Sequence, residues 1–326
     1  LPRLPPQLAG DHLSAQQAID DLKSNGASIK GFSSYTGGLV APKSDDNPWH
    51  YKISWNPMNV VRAGHEGAHF YQNGRQKLVP YQQLFKRTAD INIPEYGNFD
   101  AYFNRNAVLY AQCYGLSEAE TVIRGTLRAK GFCDSWDLLV QTGLTEHHEA
   151  LDLKGLTLRD FTEMFLPVPK DTSKVIESRW AGILGVSPAD EAFQRLTWLG
   201  LTSSEPVPIS EGTPAEVLKA LLVNKIGMKE GDRDMILMVH YFDYQINVDR
   251  KTRKSYLTLE GKNQNKTAMA RTVGLPLGIA TRLLMKNRLD IRGVHLPMQA
   301  DIYEPILEEL KRYGIIFREI DYEQEL

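Results

Sequence analysis

The strongest constraint on the fold is a change of hydrophobic period that happens twice along the 326 residues. Up to about residue 130 the apolar residues fall in short alternating runs. From about 133 to 226 they recur at three and four positions, as on helices. At 235–241 and 254–259, on either side of the charged turn 249–253, the alternation of strands returns. A helical block flanked by strand-forming segments reads as an insertion between parts of one sheet. The expected class is therefore α/β (α+β), a mixed sheet carrying a small all-helical domain. The expected boundaries are 1–130 and 228–262 for the two parts of the sheet domain, 131–227 for the helical domain and 263–326 for a C-terminal segment.

Local signals place the elements. Ser14-Ala-Gln-Gln17 fits a capping box for a helix over 14–24 that ends near Gly26. A strand follows at 27–35, stopped by Gly37-Gly38, then a loop over 42–48 and a short strand at 51–55. Residues 68–72 and 75–79 flank Asn73-Gly74, a pair that tolerates the positive φ of a two-residue hairpin turn. Further strands are expected at 100–104 and 121–127. Thr213-Pro-Ala-Glu216 combines an N-cap, Pro at the first helical position and a capping-box Glu ahead of Val217, Leu218, Leu221, Leu222 and Ile226. Ser187-Pro-Ala-Asp190 repeats the device, with Gly200 as the stop. Helix is expected over 266–286 with a bend near Gly274 and Pro276, and again from Asp301 to Gly314, before a buried edge strand at 315–317.

Charge and composition exclude several classes. With 38 Lys and Arg against 40 Asp and Glu, nothing favours nucleic acid or an anionic membrane as partner. The longest apolar stretch, 273–285, is interrupted by Arg282 and is too short to span a bilayer. Cys113 and Cys133 are too few for a disulfide scaffold, which suits a reducing, cytoplasmic setting. The Pro-rich start at Leu1 is no signal peptide, and a chain beginning with Leu is expected to have lost something upstream.

His65-Glu-Gly-Ala-His69 matches the H-E-x-x-H pattern of zinc peptidases, which needs both imidazoles on one helical turn. Here Gly64 and Gly67 interrupt it and His69 belongs to a strand, so no metal is expected. His147-His148 reads as an exposed polar turn. No G-x-G-x-x-G follows a strand near the start and no P-loop occurs anywhere. Tyr35-Thr36-Gly37-Gly38 reads as a strand-ending turn, and Gly274 and Gly278 as packing or bending glycines. More informative are Tyr102-Phe-Asn-Arg-Asn106 and Arg124-Gly-Thr-Leu-Arg128, which set Arg beside small polar donors at strand ends. Guanidinium forks bind carboxylates bidentately, so both segments suit an acidic small substrate, although surface or salt-bridging Arg is the commoner use.

Together these segments resemble the saccharopine reductases, the NADP-dependent, L-glutamate-forming saccharopine dehydrogenases. The resemblance is carried by residues 32–42, 46–57 and 124–133, by Trp198-Leu-Gly200 and Asp232-Arg-Asp-Met235, and by 267–276. It runs from about His12 to the C-terminus. It implies a substrate-binding and dimerisation domain with an inserted helical domain, and a last segment that returns to a nucleotide domain preceding this region. It also implies NADPH reduction of the imine between glutamate and α-aminoadipate semialdehyde to saccharopine, in lysine biosynthesis, by a homodimer. Carried onto this sequence, Arg105, Thr126, Leu127 and Arg128 become substrate-binding positions, and Thr36 a position facing the cofactor. No proton-transfer residue is assigned.

The sequence departs from the family pattern at four places. Gln7-Leu-Ala-Gly-Asp-His12 keeps only Asp11 and His12 of an Asp-Pro-Gly-Ile-Asp-His segment. Thr36 replaces a Cys, Met58 an Arg and Asn106 an Asp. These changes keep open a second reading, a non-catalytic binding or assembly module on the same fold.

Overall fold

The computed structural model describes residues 9–168, 173 and 175–323. Gln7, one of the departures above, lies outside them. The chain opens with α1 (Ala9–Ser24) and β1 (Ser28–Val40), and a single 3-10 turn and α2 (Pro57–Val61) lead to the hairpin β2 (Ala68–Gln72) and β3 (Arg75–Val79). Then come α3 (Tyr81–Leu84), β4 (Thr88–Ile93), β5 (Gly97–Phe103), β6 (Arg105–Asn106), α4 (Val108–Cys113) and β7 (Thr121–Ala129). The helical block consists of α5 (Phe132–Thr142), α6 (Leu158–Glu163), α7 (Ile176–Leu184), α8 (Glu191–Trp198) and α9 (Pro214–Ile226), with the small pair β8 (Leu151–Asp152) and β9 (Glu211–Gly212). The chain returns to the sheet in β10 (Asp234–Ile246) and β11 (Asp249–Glu260), then closes with α10 (Ala268–Met285), α11 (Ala300–Lys311) and β12 (Arg318–Glu323).

The main sheet runs in the order β12-β11-β10-β1-β7-β2-β3. It is mixed, because β1 is antiparallel to β10 but parallel to β7. Alternation along β10 assigns its two faces. Met235, Leu237 and Val239 join a large apolar cluster with the helical block. Ile236 and Met238 pack with α10 and α11, and Phe242 with Ile19 and Leu22 of α1. The helices flanking the sheet therefore cover one side and the inserted block the other.

Several elements differ from the sequence reading for identifiable reasons. β1 does not stop at Gly37-Gly38 but continues to Val40, and Gly37 is there for proximity: a Cβ on it would lie 2.7 Å from Leu127 Cβ and 2.9 Å from the Leu127 carbonyl oxygen. Gly37→Ala is expected to push β1 and β7 apart, lowering the stability read from the urea midpoint by about 1–3 kcal/mol. An unchanged midpoint would show that the two strands have room to spare. Residues 51–55 are not a strand, since Ile53 N–H donates to the carbonyl of Ile226 at 2.9 Å and the segment docks on the end of α9. Ser14 lies inside α1, which begins earlier, and its hydroxyl donates to the Asp11 carbonyl. Asp190, not Ser187, stands at the N-cap of α8, and its carboxylate accepts from the Ser187 N–H at 2.8 Å. The β10–β11 turn is the tight pair Asn247-Val248, with Asn247 at φ +55°, so both strands are longer than their charged flank suggested. The last strand is the exposed Arg318–Glu323, one step beyond the apolar 315–317. Gly274 and Gly278 face open space on α10, which runs on through Pro276, so neither is a packing glycine. The hairpin at Asn73-Gly74 and the Thr213–Glu216 capping box form as expected.

Candidate functional site

The site is built where β1 and β7 run side by side. Their parallel register sets Thr36 beside Thr126 and Ser34 beside Arg124, and β5 adds Tyr102 opposite Thr126. Asn104 ties the next turn to this spot: its Nδ2 donates to Thr126 Oγ1 at 3.1 Å and its backbone N–H to the Arg124 carbonyl at 2.8 Å. Arg105 follows at φ +52°, a left-handed conformation uncommon for a residue with a Cβ. It is half-buried, and among the described residues it forms no ion pair.

Arg128 is 3% exposed. Its guanidinium carbon lies 5.0 Å from the ring centre of Tyr51, 5.6 Å from Tyr102 and 5.3 Å from Phe132, an aromatic cage. Its Nη1 donates to the carbonyl of Leu127 at 2.9 Å, while Nε is buried without a partner. No carboxylate pairs with it among the described residues. Leu127 itself points into the core with no exposure, so it offers only its backbone.

Arg124, four residues earlier, is satisfied from within. Its Nη2 forms a buried ion pair with Asp11 of α1, and Nη1 donates to Tyr114 Oη at 3.4 Å. Ser34 donates to the same Asp11 carboxylate at 3.0 Å and Thr36 at 3.5 Å. His240 of β10 closes the network with Nδ1 3.1 Å from Ser34 Oγ and Nε2 3.0 Å from Ser14 Oγ, and His12 Nδ1 lies 2.7 Å from Tyr114 Oη. Burial alone would raise the Asp11 carboxyl; the charge of Arg124, helped by His240 and His12, overrides it and holds the carboxyl well below the usual range. Burial pushes both imidazoles down to about 4, Arg124 adding to the effect and Asp11 opposing it.

These features can be set beside known proteins. Residues 10–315 match the family described as the saccharopine dehydrogenase C-terminal domain. The chain is 31% identical over 318 residues to the saccharopine dehydrogenase (NADP+, L-glutamate-forming) of Schizosaccharomyces pombe, covering 95% of this chain and 70% of that protein. For the Saccharomyces cerevisiae protein of the same name the identity is 34% over 319 residues, with the same coverage. The chain belongs to the saccharopine dehydrogenase family. The structure of the apo L-Glu-forming saccharopine dehydrogenase from S. cerevisiae superposes with a TM-score of 0.85 at 30% identity, over 96% of this chain and 71% of that one. The mitochondrial alpha-aminoadipic semialdehyde synthase of Rattus norvegicus is 33% identical over 315 residues, 34% of its length.

Within this family's fold the departures acquire local meanings. Asn106 keeps an acceptor, since its Oδ1 takes the N–H groups of Val108 at 3.0 Å and Leu109 at 3.4 Å at the start of α4. An Asp would do the same with an added charge. Met58 sits in the first turn of α2, capped by Asn56, and packs against the large cluster. Thr36 keeps a polar atom beside Asp11.

Of the positions singled out in the sequence, the sheet brings Thr36, Thr126 and Arg128 together, and Arg105 follows Asn104, which is bonded to Thr126. The sequence reading did not find the roles of Arg124, Ser34 and His240. The available signal was polarity in apolar surroundings: His240 interrupts Met238-Val239 and Tyr241-Phe242, and Asp11-His12 lie on the face of α1 that meets the sheet. The two ends of the zinc-like motif separate, because His69 on β2 meets Gln76 at 3.0 Å whereas the His65 ring packs on Tyr81 at 4.4 Å and His147 at 4.8 Å. His148 is exposed, but His147 is half-buried against His65 rather than part of an exposed turn. Among the described residues no three His, Cys, Asp or Glu are arranged to hold a metal, and no helix is long and apolar enough to cross a membrane.

Proposed function

We propose that this chain carries the substrate-binding and dimerisation portion of a saccharopine reductase, an oxidoreductase that joins glutamate to α-aminoadipate semialdehyde and reduces the imine to saccharopine with NADPH in lysine biosynthesis. The observation that carries this reading is Arg128, a buried guanidinium with no protein carboxylate among the described residues, beside the half-buried Thr36–Thr126 pair. A buried cation without a counter-charge costs several kcal/mol, a cost removed if a substrate carboxylate supplies the counter-charge. Arg128 and Arg105 then hold carboxylates of the substrate, while Thr126, Asn104 and Thr36 fix its position through hydroxyl and amide groups.

The turn between β7 and α5 does not form a dinucleotide cradle. α5 follows β7 through Gly131, but the Gly131 N–H donates to Asp100 Oδ2 at 2.9 Å and the Arg195 guanidinium fills the space that a Cβ there would enter, so no room remains for a pyrophosphate. NADP belongs to this reading through the family, with only Thr36 of this chain facing it. The same reading divides the chain into 1–130 with 228–262, the helical 131–227 and the terminal 263–326. The exposed apolar side chains of Val273, Leu277 and Met285 on α10 suit a terminal segment that packs on a nucleotide domain, and a homodimer and a reducing, cytoplasmic setting complete it.

Calorimetry with saccharopine tests the reading. The protein is expected to bind it, and Arg128→Met to weaken binding roughly 50-fold or more, in line with a charge-assisted bidentate contact. Because Met fills an aromatic cage without bringing a charge into it, the melting temperature of Arg128→Met should hold or rise. No heat at millimolar saccharopine overturns the reading, as does a variant that melts early yet binds normally. The non-catalytic module is favoured by Gln7, Met58 and Asn106, each of which removes a charge from the family pattern; it fails if the chain, joined to a strand-G-x-G-x-x-G domain encoded upstream, oxidises NADPH with both substrates.

A further inference from the structure

Tyr110 of α4 is 1% exposed, and its hydroxyl is buried without a hydrogen-bond partner. A buried hydroxyl left unsatisfied costs about 1–3 kcal/mol, and the fold holds this one in place by several contacts. The Arg124 guanidinium lies 4.4 Å from the centre of the Tyr110 ring, and the His12 ring stacks on it at 5.5 Å. Arg124 Nε is likewise buried and unpartnered. Arg105 belongs to the same neighbourhood: the N–H of Asn104, the residue before it, bonds to the Arg124 carbonyl, and its charge acts on the Tyr110 hydroxyl. Burial pushes that hydroxyl up, against the pull of Arg124 and Arg105, so it stays protonated and able to donate.

Two orphan donors and one guanidinium without an ion pair thus share a neighbourhood that lacks an acceptor. Asp11, the nearest carboxylate of the protein in this network, is already engaged by Arg124, Ser34 and Thr36. We propose that Tyr110 Oη and Arg124 Nε extend the carboxylate contact already assigned to Arg105, with the Tyr110 hydroxyl donating directly to the ligand. The assignment rests on the substrate reading above and extends it. A ligand carrying carboxylates at both ends bridges the Arg128 cage and the Tyr110 subsite, with its middle along the Thr36–Thr126 pair.

The test is saccharopine calorimetry on Tyr110→Phe, with Arg128→Met in parallel and thermal melts of each. Tyr110→Phe is expected to bind about tenfold or more weakly, the value of a hydrogen bond to a charged group, while its melting temperature holds or rises because the orphan hydroxyl is gone. If Tyr110→Phe binds like the parent while Arg128→Met does not, the substrate site stands and the Tyr110 subsite is wrong. If the parent gives no heat, both readings fall. A Tyr110→Phe protein that melts several degrees lower also overturns the proposal, since the hydroxyl would then be serving the fold.

Discussion

Asp11→Ala is expected to lose about 3–5 kcal/mol of unfolding free energy, because it leaves Arg124 as a buried charge without its partner. The loss exceeds the value of the ion pair itself. Ser34 and Thr36 lose their acceptor at the same time, and α1 is held over the sheet partly through this one carboxylate. The control is the double variant Asp11→Ala with Arg124→Met, which removes both charges and should recover most of the loss. Urea unfolding of the three proteins reads the effect directly. A single variant that costs less than about 1 kcal/mol would mean that water reaches Arg124 and the pair is not truly buried.

Acid is expected to weaken the protein well before its carboxylates titrate. His12 and His240 are shifted from 6.5 to about 4 in the fold, so between those values the unfolded chain takes up protons that the folded protein refuses. Stability is therefore fully present above about pH 6.5 and falls as pH drops toward 4. Each histidine contributes on the order of 3 kcal/mol over that window. His65, pushed down to about 4 by burial and by His147, adds to the slope, and Asp11 extends the decline further into acid because its carboxyl is depressed as well. Unfolding free energies measured at half-unit steps should fall steadily across the window, and His240→Gln should make the slope visibly shallower. A slope unchanged by that substitution would remove His240 from the account.

Local chemistry was readable from residues alone wherever a short segment decides its own conformation. Asn73-Gly74 forms its hairpin and Thr213 with Glu216 caps α9, because each needs only neighbours a few positions away. Residues 51–55 alternate like a strand, yet their partner is the end of a helix more than 150 residues on, which no periodicity reveals. The same limit applies at the site. In Arg124-Gly-Thr-Leu-Arg128 the two arginines look equivalent, and they differ only because α1 lays Asp11 over the first and not over the second. Polar residues that meet through the fold, such as Ser34 and His240, could not be paired in advance, although His240 was visible as an interruption in an apolar run.

The position of β1 has a consequence for how the molecule is made. This strand is made well before its partners: Phe32 waits for Val122 on one side and for Phe242 on the other. Closing contacts so distant in sequence slows folding and leaves strand edges unprotected in the meantime. The inserted helices, such as α5 against α8, can pack on one another while the sheet is still incomplete. Synthesis of β10 is then the moment at which the centre of the sheet closes and Ser14, Ser34 and Asp11 meet His240.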